Sequence, residues 1–168
     1  MKILMIFCFC LLVNLPAAAT AYKGDTAADF TISEIDGSKF QLSDYKGKQA
    51  VYLIFWATWC PNCKREIPKL KEIHASYGGD IKVLAINTSI NDSLKKVKHY
   101  IEKHALTYPV AYDTERRVTK LYRVMGTPTQ LVIDINGVIQ YRAVEVPDDL
   151  AKHLERLLTV KSDSSHAE

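Results

Sequence analysis

The feature that most constrains this chain is an apolar run that stops at a pair of cysteines. Residues 51–57 read VYLIFWA, a run typical of a strand buried on both faces of a sheet. The next segment, CPNCKREIPKLKEIHASY, has apolar residues at the spacing of a helix that buries one face. These residues are Ile67, Leu70, Ile73 and Tyr77. The sequence therefore predicts that Cys60 and Cys63 lie where a strand ends and a helix begins.

This junction suits thiol chemistry. Unpaired backbone N–H groups and the positive end of the helix dipole favour a thiolate at a helix N-terminus. Pro61 fits the first helical turn, because the N–H group that it lacks has no partner there. We therefore expect Cys60 to be the exposed, activated thiol and Cys63 to lie behind it, as disulfide exchange requires.

Two other interpretations of the cysteine pair stay open. A structural zinc site needs four ligands, and the histidines of this chain are scattered. They are His74, His99, His104, His153 and His166. A purely stabilising disulfide is also conceivable, but a bridge across two intervening residues closes a very small loop and gains little from chain entropy. Redox exchange explains the surroundings of the pair as well as the pair itself, and no metal or cofactor is predicted.

The first 21 residues differ from the rest of the chain. A basic start, MK, is followed by the apolar run ILMIFCFCLLVNL and by the small-residue segment PAAATA. This pattern predicts a secretory signal peptide cleaved after Ala21, with an uncleaved anchor as the alternative. Cys8 and Cys10 lack the context of a lipid-attachment site. Removal of residues 1–21 would leave two cysteines, Cys60 and Cys63, in the mature chain.

The other patterns predict one α/β domain over residues 22–160, followed by a disordered tail at 161–168. Two short strands are expected around the turn Asp36-Gly37, and a hairpin around Asn136-Gly137. The apolar segment 81–87 predicts a strand parallel to the first, which gives a βαβ unit. Short helical and extended pieces are expected at residues 43–44, 109–111 and 114–123.

Two further helices are predicted from apolar periodicity. One carries Leu94, Val97, Ile101 and Ala105, with Asn91 or Asp92 as its cap. The other begins near Pro147-Asp148 and carries apolar residues on one face. These are Leu150, Leu154, Leu157 and Leu158.

Charge gives little indication of a partner. The formal net charge is +3, and basic and acidic residues are interleaved. The basic run 95–99, KKVKH, falls at helical spacing and is typical of a solvated helix face rather than of a nucleic-acid site. No nucleic-acid partner is therefore expected.

These motifs resemble the thioredoxin superfamily, specifically its exported TlpA/ResA-like thiol:disulfide oxidoreductases with an AhpC/TSA-redoxin-type domain. FWATWCPNC resembles the family's FWATWC-x-x-C, and the GTPT segment at 126–129 resembles the one that carries its cis-proline. The resemblance covers residues 28–158. It implies a thioredoxin fold: a central mixed β-sheet flanked by helices, with an N-terminal β-hairpin extension and an inserted helix at 95–106.

The resemblance also implies roles for individual residues. Cys60 would attack and Cys63 would resolve the mixed disulfide, while Thr127 and Pro128 would offer backbone to a client segment. Trp59 and Pro61, beside Cys60, would contribute to client binding.

Glu66 has two interpretations. The exported branch often has a glutamate three residues after the second cysteine, and at helical spacing from Cys63 its carboxylate would affect the protonation of the thiols. The alternative is a solvated helix charge paired with Lys69 or Lys71. Cytosolic thioredoxins carry a buried aspartate six residues before the first cysteine, where this chain has Ile54.

The implied activity is reduction of disulfides in exported client proteins, with cytochrome c maturation as one setting. Disulfide-bearing or dithiol proteins would be the clients, and a membrane thiol carrier the electron donor. The expected location is the bacterial periplasm or the outer face of the inner membrane. A disulfide oxidase or isomerase, and a non-catalytic binding module with a structural disulfide, are the alternatives. A peroxidase is not expected, because Leu53 and Ala57 stand where the peroxiredoxin signature needs proline and threonine.

Overall fold

The computed structural model describes residues 21–145 together with residues 150, 152, 154 and 155. Over these residues it has a five-stranded mixed sheet in the order β5-β4-β3-β6-β7 and a separate two-stranded antiparallel sheet, β1-β2. The strands are β1 Thr31–Ser33, β2 Lys39–Gln41, β3 Ala50–Trp56, β4 Ile81–Asn87, β5 Val110–Tyr112, β6 Thr129–Ile133 and β7 Ile139–Ala143. The helices are α1 Pro61–Tyr77, α2 Leu94–His104 and α3 Arg117–Leu121. The predicted thioredoxin-type α/β architecture is confirmed.

Strand β3 is the centre of the main sheet. All of its residues are buried, as its apolar sequence predicts. It pairs in parallel with β4 and antiparallel with β6, so that Ile54 lies opposite Ala85 on one side and Gln130 on the other. The parallel pairing with β4 across α1 is the predicted βαβ unit. The carboxyl end of β3 therefore leads into the cysteine pair, which lies at that end of the sheet.

Two apolar layers cover the faces of this sheet. One contains Leu70 and Ile73 of α1 and Val97 of α2, packed on Tyr52 and Ile54 of β3. The other lies beneath the N-terminal hairpin and α3 and contains an aromatic group. Its rings are Phe30, Phe40, Phe55 and Tyr122. The alternation of side chains along β3 assigns even-numbered residues to the α1 layer and odd-numbered residues to the aromatic layer.

Several local predictions hold, and others need correction. The turns at Gly37 and Gly137 have φ values of 95° and 82°, which glycine adopts without strain. Helix α2 begins after Ser93, whose hydroxyl accepts from the Lys96 amide, so Asn91 and Asp92 are not its cap. The helix expected at 114–123 is a 3₁₀ turn, Thr114–Arg116, followed by α3, because the backbone at Arg116 is left-handed.

Other expectations fall on residues that the structure does not describe. These are the signal segment before residue 21, most of the last helix and the tail at 161–168. Leu150 and Leu154 are described, and both are buried in the α1 layer. Within the described residues, no helix is both long enough and apolar enough to cross a bilayer.

The start of α3 depends on a buried aspartate. Asp113 is 1% exposed, and its carboxylate accepts from the backbone N–H groups of Val118 (3.1 Å) and Thr119 (2.7 Å) and from the Thr119 hydroxyl (2.6 Å). It thereby satisfies amides in the first turn of a short helix, which have no partner within the helix itself.

Replacement of Asp113 by alanine should lower the free energy of unfolding by about 2 kcal/mol, because buried donors would lose their acceptor. Urea unfolding of the oxidised protein measures this change. The matched control is Asp36→Ala, which removes a carboxylate that also accepts from a backbone amide and a hydroxyl, those of Ser38, but at an exposed turn. Equal unfolding curves for the two variants would contradict the role assigned to Asp113.

Candidate active site

The cysteine pair lies at the N-terminus of α1, as the sequence predicts. Cys60 and Cys63 form a disulfide, with their Cα atoms 5.3 Å apart. Cys60 is the N-cap residue of α1, and its Sγ accepts from the Cys63 backbone amide at 3.1 Å. Pro61 is the first residue of the helix. A negative charge on the Cys60 sulfur would therefore meet both an N–H donor and the positive end of the helix dipole.

The expectation that Cys60 is exposed is wrong for this oxidised form. Cys60 is 3% exposed and packs in the α1 layer together with Cys63. The Thr127 carbonyl oxygen lies 3.4 Å from Cys60 Sγ and covers it from the side of β6. The adjacent Trp59 is 52% exposed, and Pro61 is also exposed. The surface beside the sulfur is thus formed by the two neighbours of Cys60.

The loop before β6 contains the proline that the GTPT motif singles out. The Thr127–Pro128 peptide bond is cis, and Pro128 is buried. The Thr129 hydroxyl donates to the Gly126 carbonyl at 2.7 Å, which closes the loop on itself. Met125, two residues before Thr127, is 96% exposed. The loop therefore brings Thr127 and Pro128 beside Cys60, whereas their contact with a client stays a prediction.

Asp92 holds the segment that precedes the cysteines. Its carboxylate accepts from the Thr58 backbone N–H (2.8 Å), the Thr58 hydroxyl (2.5 Å) and the Asn87 side-chain amide (2.9 Å). Nearby, the Trp59 indole N–H donates to the Ile90 carbonyl at 2.7 Å. The loop after β4 therefore fixes both residues in front of Cys60. Sequence analysis considered Asp92 only as a helix cap, because no spacing rule relates it to Thr58.

Glu66 lies on the inner side of α1, where its Oε2 accepts from the Gln130 side-chain amide at 3.0 Å. Lys71, one of the two lysines proposed to pair with it, donates instead to the His104 carbonyl at 2.7 Å. Glu66 and Cys63 line the same cavity of about 10 Å³, between α1, the sheet and α2. The carboxylate is thus held toward the interior beside the second cysteine, and its chemical role stays a prediction.

Tyr100 and Tyr108 line this cavity, Tyr52 of β3 lies near Glu66, and burial raises the pKa of all three hydroxyl groups. Burial raises the pKa of Tyr52, and the negative charge of Glu66 raises it further. The pKa of Tyr108 is raised mainly by burial, with smaller contributions from Tyr100 and Glu66. The Tyr100 hydroxyl is buried, and its pKa is also raised by burial. Among these neighbours of Glu66, Cys63 is the group whose protonation changes during disulfide exchange.

Sequence analysis missed Gln130 and Tyr52. The Tyr52 hydroxyl donates to Gln130 Oε1, and Gln130 in turn donates to Glu66. One signal was available, since Gln130 has a long polar side chain directly before the apolar residues LVI of the same strand. A polar side chain at such a position requires a partner, although the sequence does not say which one.

Comparison with known proteins identifies the family. The model of the AhpC/TSA family matches residues 23–142. Thiol-disulfide oxidoreductase ResA of Geobacillus thermodenitrificans is 34% identical over 137 residues, which cover 80% of this chain and 77% of that protein.

Solved structures agree with this comparison. One, described as a candidate thiol:disulfide interchange protein DsbE from Chlorobium tepidum, has a TM-score of 0.69 and 30% identity and covers 83% of this chain and 96% of its own. The exposed lipoprotein thioredoxin of Streptococcus pneumoniae has a TM-score of 0.69 and 31% identity, with coverage of 77% and 99%. The chain therefore belongs to the AhpC/TSA family of thioredoxin-like proteins, and its activity is that of a thiol:disulfide oxidoreductase.

Proposed function

We propose that the protein is an exported reductase that transfers two electrons from the Cys60–Cys63 dithiol to disulfides of client proteins. The observation that carries the proposal is the placement of the pair: the Cys60 sulfur accepts from a helix N-terminal amide and lies against the Thr127 carbonyl. An N–H group that donates to the sulfur and the positive end of a helix dipole both favour its thiolate, which is the attacking species in disulfide exchange.

The reaction proceeds in two exchanges. The Cys60 thiolate attacks one client sulfur, the client S–S bond breaks, and the other client sulfur leaves as a thiolate that takes up a proton. Cys63 then loses its proton and attacks Cys60 Sγ. This step breaks the mixed disulfide, forms the Cys60–Cys63 bond and releases the second client thiol. The client gains two electrons and two protons, and the enzyme loses the same.

Client binding uses the surface beside Cys60. A client segment lies along Thr127 and Pro128 as an added strand, with Trp59 and Pro61 in contact with it from the other side of the sulfur. The Trp59 ring is supported for this role because its N–H is held by the Ile90 carbonyl while its face is exposed. A fixed aromatic ring gives contact area with little loss of side-chain freedom on binding.

Glu66 serves as the proton acceptor for Cys63. The two residues are one helical turn apart and line the same cavity, where solvent cannot readily take the thiol proton. The half-buried carboxylate can then release that proton at the surface of α1.

The setting is the outer side of a bacterial membrane. Residues 1–21 act as an export signal, and the domain within residues 22–160 carries the activity. A membrane thiol carrier returns electrons to the pair, and apocytochrome c thiols are one client class. The relatives support an outward-facing location, since one of them is named an exposed lipoprotein thioredoxin.

Cys60→Ser should abolish reduction of insulin by the mature protein with dithiothreitol as the electron source. Cys63→Ser should still attack but should accumulate a mixed disulfide with the client, because the resolving thiol is missing. Turbidity measures turnover, and non-reducing electrophoresis detects the adduct. Turnover by the Cys60→Ser variant would contradict the assignment of the nucleophile. Binding of clients without turnover in any form of the protein would instead indicate a binding module.

The reduction potential of the pair should be near or below about −250 mV, the thioredoxin range, because a reductase must give its electrons away. Trp59 fluorescence during titration against a thiol buffer measures this potential. The optical control is Trp59→Phe, which shows how much of the signal comes from Trp56. A value near about −120 mV is that of a strong oxidant and would favour a disulfide oxidase.

A further inference from the structure

Gln130 occupies a position where an apolar residue is expected. It is 0% exposed and is the second residue of the buried strand β6. Its cross-strand partner on β3 is Ile54, so both side chains project into the α1 layer. A buried amide costs folding free energy unless its donors and acceptor are satisfied. Its presence in this layer therefore calls for a specific reason.

The oxygen and the nitrogen of the Gln130 side-chain amide each make a hydrogen bond, and the two bonds fix the orientation of the amide. The Tyr52 hydroxyl donates to Oε1, and Nε2 donates to Glu66 Oε2 at 3.0 Å. An amide nitrogen can only donate, and an ionised carboxylate can only accept. In the flipped orientation Oε1 would face the carboxylate, which is tolerable only if Glu66 is protonated. Tyr52 and Gln130 therefore form a directed chain that ends on a Glu66 carboxylate oxygen, where the donated N–H favours the ionised form.

Ionisable groups on several elements surround Glu66. Cys63 and Tyr100 line its cavity from α1 and α2, Tyr108 lines it from the segment before β5, and Lys69 lies one turn further along α1. Tyr52 approaches from β3, and Tyr141 on β7 interacts electrostatically with Tyr52. The buried tyrosines stay neutral at physiological pH. Cys63 is therefore the group to which the state of Glu66 matters in catalysis.

We propose that Tyr52 and Gln130 are positioning residues that hold Glu66 as a carboxylate beside Cys63 and so set the pH range in which the mixed disulfide is resolved. This proposal rests on the proton-accepting role of Glu66 in the proposed function. As Cys63 attacks Cys60 Sγ, its proton moves to a Glu66 carboxylate oxygen, the Cys60–client bond breaks, and the client leaves as a thiolate. The N–H donated by Gln130 stabilises the ionised, proton-accepting form before this step.

The test is the rate of resolution of a preformed Cys60–glutathione mixed disulfide, followed by fluorescence from about pH 5 to about pH 9. The rate should fall at low pH as Glu66 becomes protonated. In Gln130→Met this fall should move upward by about one pH unit, because the N–H donated to the charged form of Glu66 is lost. Tyr52→Phe removes the hydrogen bond that orients the Gln130 amide and should move the fall in the same direction by a smaller amount. Tyr52→Phe is the milder change and keeps the test open if Gln130→Met does not fold.

Two comparisons separate positioning from a general loss of packing. Tyr122→Phe removes a hydroxyl of similar burial from the aromatic layer, where it donates to the Ala28 carbonyl at 2.7 Å, and should leave the pH profile unchanged. In a Glu66→Gln background, neither Tyr52→Phe nor Gln130→Met should shift the profile further. A shift that persists in that background would overturn the proposal.

The remaining outcomes are distinguishable. If Glu66→Gln moves the fall to the higher pH at which the Cys63 thiol ionises unaided, while both single variants keep the wild-type profile, the positioning role fails and the proposed function stands. If Glu66→Gln itself has the wild-type profile, the role of Glu66 fails and the inference fails with it. Loss of insulin reduction by the wild-type protein would defeat the proposed reductase without affecting the resolution assay.

Discussion

The structure depends on the burial of β3 on both faces. A strand of seven apolar and aromatic residues needs a neighbour on each edge and a covering layer on each side. Strands β4 and β6 supply the edges, α1 and α2 cover one face, and the hairpin with α3 covers the other. The chain leaves this strand in one direction, directly into the cysteine pair. The requirement to bury β3 thus decides where the sulfur atoms lie.

The local part of this arrangement is predictable from the sequence. Strand and helix periodicities are properties of short segments, so β3, α1, β4 and the two glycine turns follow from residues close together in the chain. The same holds for the position of Cys60 at a helix N-terminus. The predicted caps of α2, Asn91 and Asp92, lie one or two residues before Ser93, the residue that caps the helix. All three residue types favour caps, and Asp92 instead accepts hydrogen bonds from Thr58.

The polar contacts around the site are not predictable in this way. Asp92 and Thr58 are 34 residues apart, and Gln130 and Glu66 are 64 apart. Such pairs can be matched only when the sheet order is known. The polar Gln130 in a buried strand indicates that a partner is needed, but the local pattern does not identify that partner. The burial of Cys60 was missed for the same reason, because the carbonyl that covers it belongs to Thr127, far along the chain. Family resemblance supplied the proline loop but not these partners.

The loop after β4 also links folding to reactivity. The segment with Thr58 and Trp59 is fixed by Asp92 and Ile90, and the sulfur is covered from the loop that leads into β6. Three distant parts of the chain must come together before the surface beside Cys60 exists. In a chain that has not yet assembled its sheet, Cys60 and Cys63 are ordinary thiols, without the helix terminus or the surrounding surface. The reactivity of this pair is in this sense a property of the completed tertiary structure.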